Sequence, residues 1–461
     1  MNFQITFDFN SSKFETLLST TYYVDKTLLI KALFEEKTRK IVVTAPRRFG
    51  KSTNLDMIKR FVEIEMDREG KRISKTNYKL EPVKDTPTYD LFIKKDLEII
   101  KHCEIMNEHF GRYPVVYADF KRNSFVQSFQ DAVNFCKTVV SKSFQQHKYL
   151  KESKKLSGFE KERCKLWCEE NDFDKDDVIR SLEELSRYLC RHFNKKKVFV
   201  FIDDFDAVIA KAIFKLKGGA ELRDVVEFNK SLMFTLLKKC DESVDRIFIT
   251  GISHIISRYL FDVEDIKLCA FLGKHEFVKF YGLTPEEVEH LFQISLISLH
   301  TPQSIEDAYD RYNAYTSENN EKIHNLWSIL NFVVHGEIKD YWRMSLIIEN
   351  FYEILKNSNI RLKVEELTHD KPINIEIPES ISYQQIAHLR FFVLEPKERN
   401  SFYYVGLFFL YLFEQGYLSY HHNKEVSLPS NQIFVKVPNK ELEEEFLESL
   451  TRYYVITFVR S

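Results

Sequence analysis

The chain has 461 residues, of which 44% are hydrophobic and 30% are charged, and its formal net charge is −2 at pH 7. This composition is typical of a globular protein, and the length exceeds what one hydrophobic core usually organises, so two or three domains are expected. A nearly neutral chain has no general basic field, so contact with DNA or RNA requires a local basic patch.

Nothing in the sequence predicts export or membrane insertion. Residues 1–10 are mixed polar and aromatic, unlike a signal peptide, and the longest apolar run, residues 403–413, is about half of a membrane span. Seven scattered cysteines suit a reducing compartment. Cys164 and Cys168 could share a metal, but no second Cys or His pair lies nearby, which favours helix packing. We expect a cytoplasmic or nuclear protein without a membrane partner.

The first predicted elements are a helix over residues 28–34 and then the sequence KIVVTAPRRFGKSTNLDMIKR from position 40. Its β-branched run predicts a buried strand, and its apolar spacing after Ser52 predicts an amphipathic helix. Unpaired N–H groups at a helix start attract an anion, Lys51 adds a positive charge, and the Ser52 hydroxyl can ligate magnesium. The phosphates of a nucleotide are therefore expected at Ala45, Pro46, Arg47, Arg48, Phe49, Gly50, Lys51, Ser52 and Thr53.

This Walker A motif departs from G-x-x-x-x-G-K-[ST] because Ala45 stands at the first glycine. The change is tolerable if Ala45 keeps a negative φ. A chance match of G-K-S-T at a helix start is the alternative, and the preceding strand and adjacent arginines argue against it. Ahead of the strand, Asp25 and Lys26 could touch the nucleotide, or they could form a surface ion pair.

The next stretch alternates between predicted strands and helices. Residues 67–86 are charged and aperiodic, which indicates a surface insertion. Residues 113–120 predict a strand, residues 128–146 the crossover helix after it, and residues 174–193 a further amphipathic helix. Residues 151–173 are polar and are expected to cover one edge of the fold.

A second motif, VFVFIDDFD, begins at position 198. Five apolar residues predict a buried central strand, and Asp203 and Asp204 follow at its carboxyl end, where open α/β sheets bind ligands. Asp203 is expected to hold the water shell of magnesium, and Asp204 to reach the attacking water as a catalytic residue beside Lys51. A solvated strand end is the alternative.

The following strand, residues 246–250, ends in the sequence TGIS. Thr250 or Ser253 could sense the γ-phosphate, with Thr250 the preferred catalytic residue, or the segment could be a plain turn. Residues 277–281 are predicted as the fifth strand. The alternation predicts an α/β fold with a P-loop NTPase core and a parallel, doubly wound sheet.

Five stretches, APRRFGKSTNLDM, YYVDKT, YPVVYADFK, VFVFIDDFD and ITGIS, together resemble the AAA-ATPase-like family. Its members usually carry RPRRFGKS, YVDKT and LIDEYD at the same relative places, and their phosphate loop generally lacks the first glycine. The resemblance implies an ATPase domain over residues 1–295 that uses ATP and Mg2+. Asp204 replaces the usual glutamate and Phe205 the usual tyrosine, and the first change bears on the rate of hydrolysis more than on nucleotide binding.

Residues 296–461 are predicted to form a mostly helical, winged-helix-like C-terminal region. The resemblance extends into it through residues 311–315, 325–330 and 340–342. A helix over residues 402–415 is expected to stop at Gly416, followed by a hairpin over residues 417–437 and a last helix. Such a module binds DNA or packs on the ATPase core, and its many aromatic residues favour packing.

Many bacterial relatives continue into a PD-(D/E)xK nuclease domain. No paired carboxylate with a following E-x-K appears on an apolar strand after Pro438, so nuclease activity is not assigned.

These features together predict a magnesium-dependent ATP-binding protein, a slow ATPase whose nucleotide state controls the C-terminal module and through it a protein partner. A nucleotide-bound switch without turnover and a nucleic-acid-binding regulator are the alternatives. The absence of an N-K-x-D motif favours ATP over GTP. Arg258 is a candidate arginine finger, with a surface role as the other interpretation.

Overall fold

The computed structural model describes residues 8–9, 11–67, 69–77, 81–121, 126–169, 173–216, 219–239, 242–296, 301–342, 354–390, 402–423 and 428–460. Cys240, residues 1–7 and 10, and parts of the predicted insertion, edge-covering segment and hairpin lie outside these ranges. Within them, no helix is long and apolar enough to cross a bilayer.

A five-stranded parallel sheet forms the centre of the described chain, in the order β2-β3-β4-β1-β5. Every residue of the third strand is buried, because its phenylalanine and β-branched side chains have elements packed on both sides of them. The predicted α/β fold with a P-loop NTPase-like core is confirmed. The strands are β1 Lys40–Thr44, β2 Val115–Asp119, β3 Val198–Asp203, β4 Val244–Gly251 and β5 Ile266–Cys269.

The prediction of a fifth strand at residues 277–281 is wrong. Val278–Phe280 forms a 3-10 helix, and the fifth strand is β5 at the edge of the sheet. A short apolar run does not distinguish a strand from a buried helical turn. The edge strand was missed because it is only partly buried and carries Lys267, which forms ion pairs with Glu36 and Glu276.

Helices flank the sheet and follow the predicted pattern. The helix after β1 packs against β3 and β4, and the predicted amphipathic helix at residues 174–193 packs against β2 and β3. The helices are α1 Phe14–Leu18, α2 Leu28–Glu35, α3 Lys51–Val62, α4 Pro87–Lys94, α5 Cys103–His109, α6 Phe129–Gln145, α7 Gly158–Cys168, α8 Lys175–His192, α9 Ala207–Lys215, α10 Gly219–Lys239, α11 His254–Leu260 and α12 Pro285–Leu296. Further 3-10 turns are Glu98–Lys101 and Lys148–Glu152.

The C-terminal region is mostly helical and carries two small antiparallel sheets. Its later elements run helix, strand, helix, helix, strand, strand. The predicted hairpin is confirmed by the pairing of its two strands. The elements are α13 Pro302–Arg311, β6 Tyr315–Thr316, β7 Lys322–Ile323, α14 Leu326–His335, α15 Ser358–Thr368, β8 Ile373–Glu376, α16 Tyr383–Leu389, α17 Phe402–Glu414, β9 Ser419–Tyr420, β10 Gln432–Lys436 and α18 Lys440–Arg460.

Helix α17 packs into the rest of the protein. Its residues 404–414 are buried apart from Gly406, which is half-buried. One cluster of buried apolar side chains continues from Phe14 in α1 to Leu450 in α18. Gly416 ends α17 with φ 87°, the left-handed conformation expected after a helix. The C-terminal region therefore shares its core with the sheet.

Candidate nucleotide-binding site

A cavity of about 500 Å³ lies at the N-terminus of α3. The carboxyl ends of β1, β3 and β4 meet at this edge, since Thr44 pairs with Gly251 and Ile202 with Ile249 in the parallel sheet. Of the predicted phosphate-binding loop, six residues line the cavity: Arg47, Arg48, Gly50, Lys51, Ser52 and Thr53. The loop and the strand ends thus share one pocket.

The loop turns through two positive φ angles, 65° at Arg48 and 85° at Gly50. Ala45 keeps a negative φ, which explains why a glycine is dispensable there. The Asn54 N–H donates to the Gly50 carbonyl over 2.9 Å and begins the helical hydrogen-bond ladder. The N–H groups of the preceding first turn have no intrahelical acceptor, so they can meet an anion.

Lys51 is held inside the loop, with 6% of its surface exposed. Its Nζ donates to the Ala45 carbonyl over 2.9 Å and to the Pro46 carbonyl over 2.8 Å. Burial lowers the pKa of Lys51, and nearby carboxylates, first Asp204, oppose that shift. An ammonium has three donors, so one direction remains for a phosphate oxygen.

Asp203 is buried behind the loop, at 1% exposure. The Thr250 Oγ1 donates to its Oδ1 over 2.7 Å, and the nearby Ser52 hydroxyl favours the charged form of the carboxylate and so lowers its pKa. Burial, reinforced by Asp204, raises the pKa of Asp203 to about 6, against the effect of these two hydroxyls. The hydroxyl and carboxylate oxygens form the kind of donor set that fits Mg2+. Neither Asp203 nor Thr250 lines the cavity, and Thr250 contacts the site only through the Asp203 carboxylate behind the loop.

Asp204 lines the cavity directly and is partly exposed. It adopts φ 52°, a left-handed conformation that aspartate tolerates better than most residues. Phe205 is buried, its ring 5.0 Å from that of Phe261. The backbone reversal therefore separates a carboxylate at the cavity from an aromatic ring in the core.

A comparison with protein-family models matches residues 10–261 to the family described as Predicted AAA-ATPase. The chain belongs to this AAA-ATPase family. The match covers more than half of the chain and contains the phosphate loop, β3 and β4. No curated protein matches the chain. Family membership confirms the resemblance seen in the sequence and indicates nucleotide binding.

Asp206 also lines the cavity of this AAA-ATPase, although the sequence motifs did not single it out. Its carboxylate accepts from the Ile252 N–H over 3.1 Å and from the Ser253 N–H over 2.7 Å. Burial, followed by the charge of Asp204, raises the pKa of Asp206 to about 6. As the last acidic residue of FIDDFD, it could have been singled out from the sequence. Its contacts connect the end of β3 to the turn after β4.

Glu414 of α17 does not line the cavity but contacts Ser253, which does, and the sequence did not reveal this contact. The Ser253 Oγ donates to Glu414 Oε2 over 2.9 Å, and the Ile255 N–H donates to Oε1 over 2.7 Å. Ser253 also caps α11 by accepting from the Ile256 N–H. Burial raises the pKa of Glu414 to about 8. Ser253 and Glu414 are 161 residues apart, so no local sequence signal could reveal the contact.

Asp25, Lys26 and Arg258 lie away from the cavity. Asp25 accepts from the Glu98 N–H over 2.7 Å. Lys26 forms an ion pair with Glu287, so the interpretation of these residues as an ion pair holds for Lys26. The lysine is buried, however, and does not lie at the surface. Arg258 donates to the backbone carbonyls of Pro378 and Glu379. These side chains connect parts of the same chain.

Proposed function

We propose that this AAA-ATPase binds ATP with magnesium, hydrolyses it slowly and transmits its nucleotide state to the C-terminal region. The observation that carries the proposal is the buried hydrogen bond between Thr250 and Asp203 at the strand ends, next to Ser52, Lys51 and Asp204, three residues that line the cavity. Each of these groups has a role in phosphoryl transfer.

The proposed roles follow from position. Lys51 and the first-turn N–H groups of α3 hold the phosphates. Ser52 would hold the magnesium ion and Asp203 its water shell; when bound, the ion neutralises charge that develops on the phosphate oxygens. Asp204 borders the cavity and orients the attacking water. Thr250 positions the Asp203 carboxylate.

Direct contacts between the C-terminal region and the loop support the coupling. The Trp342 Nε1–H donates to the Arg47 carbonyl over 3.4 Å, and the Arg48 guanidinium lies 3.6 Å from the centre of the Trp327 ring. Gly416 approaches the loop so closely that a Cβ there would lie 2.8 Å from Pro46. A change in loop conformation would therefore alter the contacts that α14 and the end of α17 make with the loop.

A non-hydrolysing switch is the alternative that Asp204 itself suggests, since its side chain is one methylene shorter than the glutamate usual at this place. A nucleic-acid-binding regulator is less favoured. In a winged-helix module that binds DNA, the second of two adjacent helices enters the major groove and contacts the bases with exposed side chains. Here that second helix is α17, and its side chains are buried. A steep fall of affinity with salt would favour that alternative.

We expect Ser52→Ala to remove the magnesium dependence of ATP binding. A charge-assisted contact contributes about 1.5–3 kcal/mol, so ATP affinity with magnesium should fall at least about tenfold. Calorimetry with magnesium and with a chelator measures both values. Ser52→Thr keeps the hydroxyl and is the matched control. The assignment is contradicted if magnesium strengthens ATP binding by Ser52→Ala as much as it strengthens ATP binding by the wild type.

We expect Glu414→Gln to flatten the pH dependence of stability. The folded-state pKa of about 8 lies above the unfolded value of 4.5, so the stability contributed by the protonated group is complete below pH 4.5 and is lost as the pH rises through 8. The free energy of unfolding changes by at most about 1.4 kcal/mol per pH unit for each proton that the folded and unfolded states bind differently. Urea unfolding between pH 5 and 8 measures it, with Glu448→Gln, at an exposed position, as control. Parallel curves for wild type and Glu414→Gln would be the contrary result.

A further inference from the structure

The cavity extends beyond the phosphate loop to an apolar wall. Within the described residues, its lining includes the side chains of Phe9, Leu17, Leu326, Trp327 and Leu330. The Phe9 and Trp327 rings meet edge to face at 5.1 Å. A Cβ at Gly50 would lie 3.7 Å from Leu326 Cδ2, so this wall stands beside the helix N-terminus that faces the phosphates.

We propose that these five residues form the subsite for the nucleobase, a purine ring attached to the phosphates held by the loop. This inference rests on the proposed nucleotide binding and adds where and by what the base is recognised. A flat aromatic ring is held by apolar contact and by contact with aromatic side chains. The Arg48 guanidinium covers one face of Trp327, so the base would contact the remaining surface of that ring and the other four residues. A cavity of about 500 Å³ is within the range of small-molecule sites.

Helix α14 supplies three of the five residues, and it is held rigidly. Asn325 caps it by accepting from the Trp327 and Ser328 N–H groups over 2.9 and 3.3 Å. The Trp327 Nε1–H donates to the Tyr341 carbonyl over 3.1 Å, which orients the indole. A preformed wall lowers the entropy lost when a ligand binds.

Most of this wall is outside the part of the chain that the family model covers. The match spans residues 10–261, whereas Phe9 and the α14 residues lie beyond it on either side. Arg48 connects the two regions, because its guanidinium stacks on Trp327 while its backbone belongs to the phosphate loop. A base bound here would contact the C-terminal region directly.

The test compares ATP with inorganic tripolyphosphate, which has the phosphates but no base. Loss of one base–aromatic contact typically weakens binding about fivefold to more than a hundredfold. We expect Trp327→Ala to weaken ATP binding by that factor and to change tripolyphosphate binding less than twofold. Lys51→Ala should weaken the binding of both ATP and tripolyphosphate. Equal ATP affinity of Trp327→Ala and wild type would overturn the subsite, whereas a wild type that binds neither ligand would overturn the proposed function with it.

A fluorescence measurement covers the case in which Trp327→Ala does not fold. The chain has three tryptophans, and Trp342→Phe is the background for every measurement, because Trp342 contacts the phosphate loop and would itself respond to bound phosphates. In this background ATP should alter the emission through Trp327, and tripolyphosphate should not. Trp327→Phe preserves an apolar ring and should lose the ATP-induced change. Trp167→Phe is the matched control, since Trp167 is buried and does not line the cavity, and it should keep the change. An ATP-induced change that persists in Trp327→Phe would count against the subsite.

Discussion

Asp204→Asn is expected to lower ATP turnover by on the order of a hundredfold or more while leaving ATP affinity nearly unchanged. Asp204 lines the cavity beside the phosphate loop, and its carboxylate is not the buried one that Thr250 hydrogen-bonds. Removing its charge should therefore affect the attacking water and not the bound phosphates. Phosphate release and calorimetry measure the two effects separately.

Asp204→Glu tests the geometry of the same role. Aspartate is one methylene shorter than glutamate, and a misplacement of about 1 Å can cost on the order of a hundredfold in rate, so the wild type should be slow. Glutamate should keep or raise turnover without much effect on affinity. Because Asp204 has φ 52°, a conformation that glutamate tolerates less well, the substitution should also lower thermal stability slightly.

Two comparisons separate this role from a general effect of charge. Asp119→Asn removes a carboxylate from the end of the neighbouring strand, outside the cavity, and should leave turnover close to the wild-type value. Asp203→Asn should weaken magnesium-dependent binding and turnover together. Equal, measurable rates for wild type and Asp204→Asn would exclude the role of Asp204. If wild type, Asp204→Asn and Asp204→Glu are all inert, the non-hydrolysing switch is the better description.

Lys51→Ala is expected to lower ATP affinity by at least the roughly 1.5–3 kcal/mol of a charge-assisted hydrogen bond, which is about tenfold to more than a hundredfold. The ammonium also holds the carbonyls of Ala45 and Pro46, so its loss should loosen the loop as well as remove a phosphate contact. Both effects act in the same direction on ATP affinity.

Lys59→Ala is the control for Lys51→Ala. Lys59 lies on the same helix two turns later and forms an ion pair with Glu63, away from the cavity. A partly exposed pair of this kind contributes little to stability, so the control should bind ATP like the wild type. Thermal melting of both variants distinguishes a local change from unfolding. Unchanged ATP binding by Lys51→Ala in calorimetry would refute the assignment of the loop.

Local patterns in the sequence were sufficient for the centre of the fold. The strand before Ala45, the helix start at Lys51 and the apolar run before Asp203 each encode their structure within a few residues, because burial on both faces of a sheet demands continuous apolar sequence. Gly416 marks the end of α17 for a similar local reason, since a left-handed φ favours glycine.

The tertiary structure decided the rest, because the remaining features depend on contacts between distant residues. The edge strand β5 follows no pattern of its own and is defined by its pairing with β1. The bond from Ser253 to Glu414 and the contacts of Trp327 and Trp342 with the phosphate loop join segments separated by more than a hundred residues. A buried hydrogen bond or a stacked ring requires only that its partners meet in space, and nothing in the sequence near either partner records the meeting.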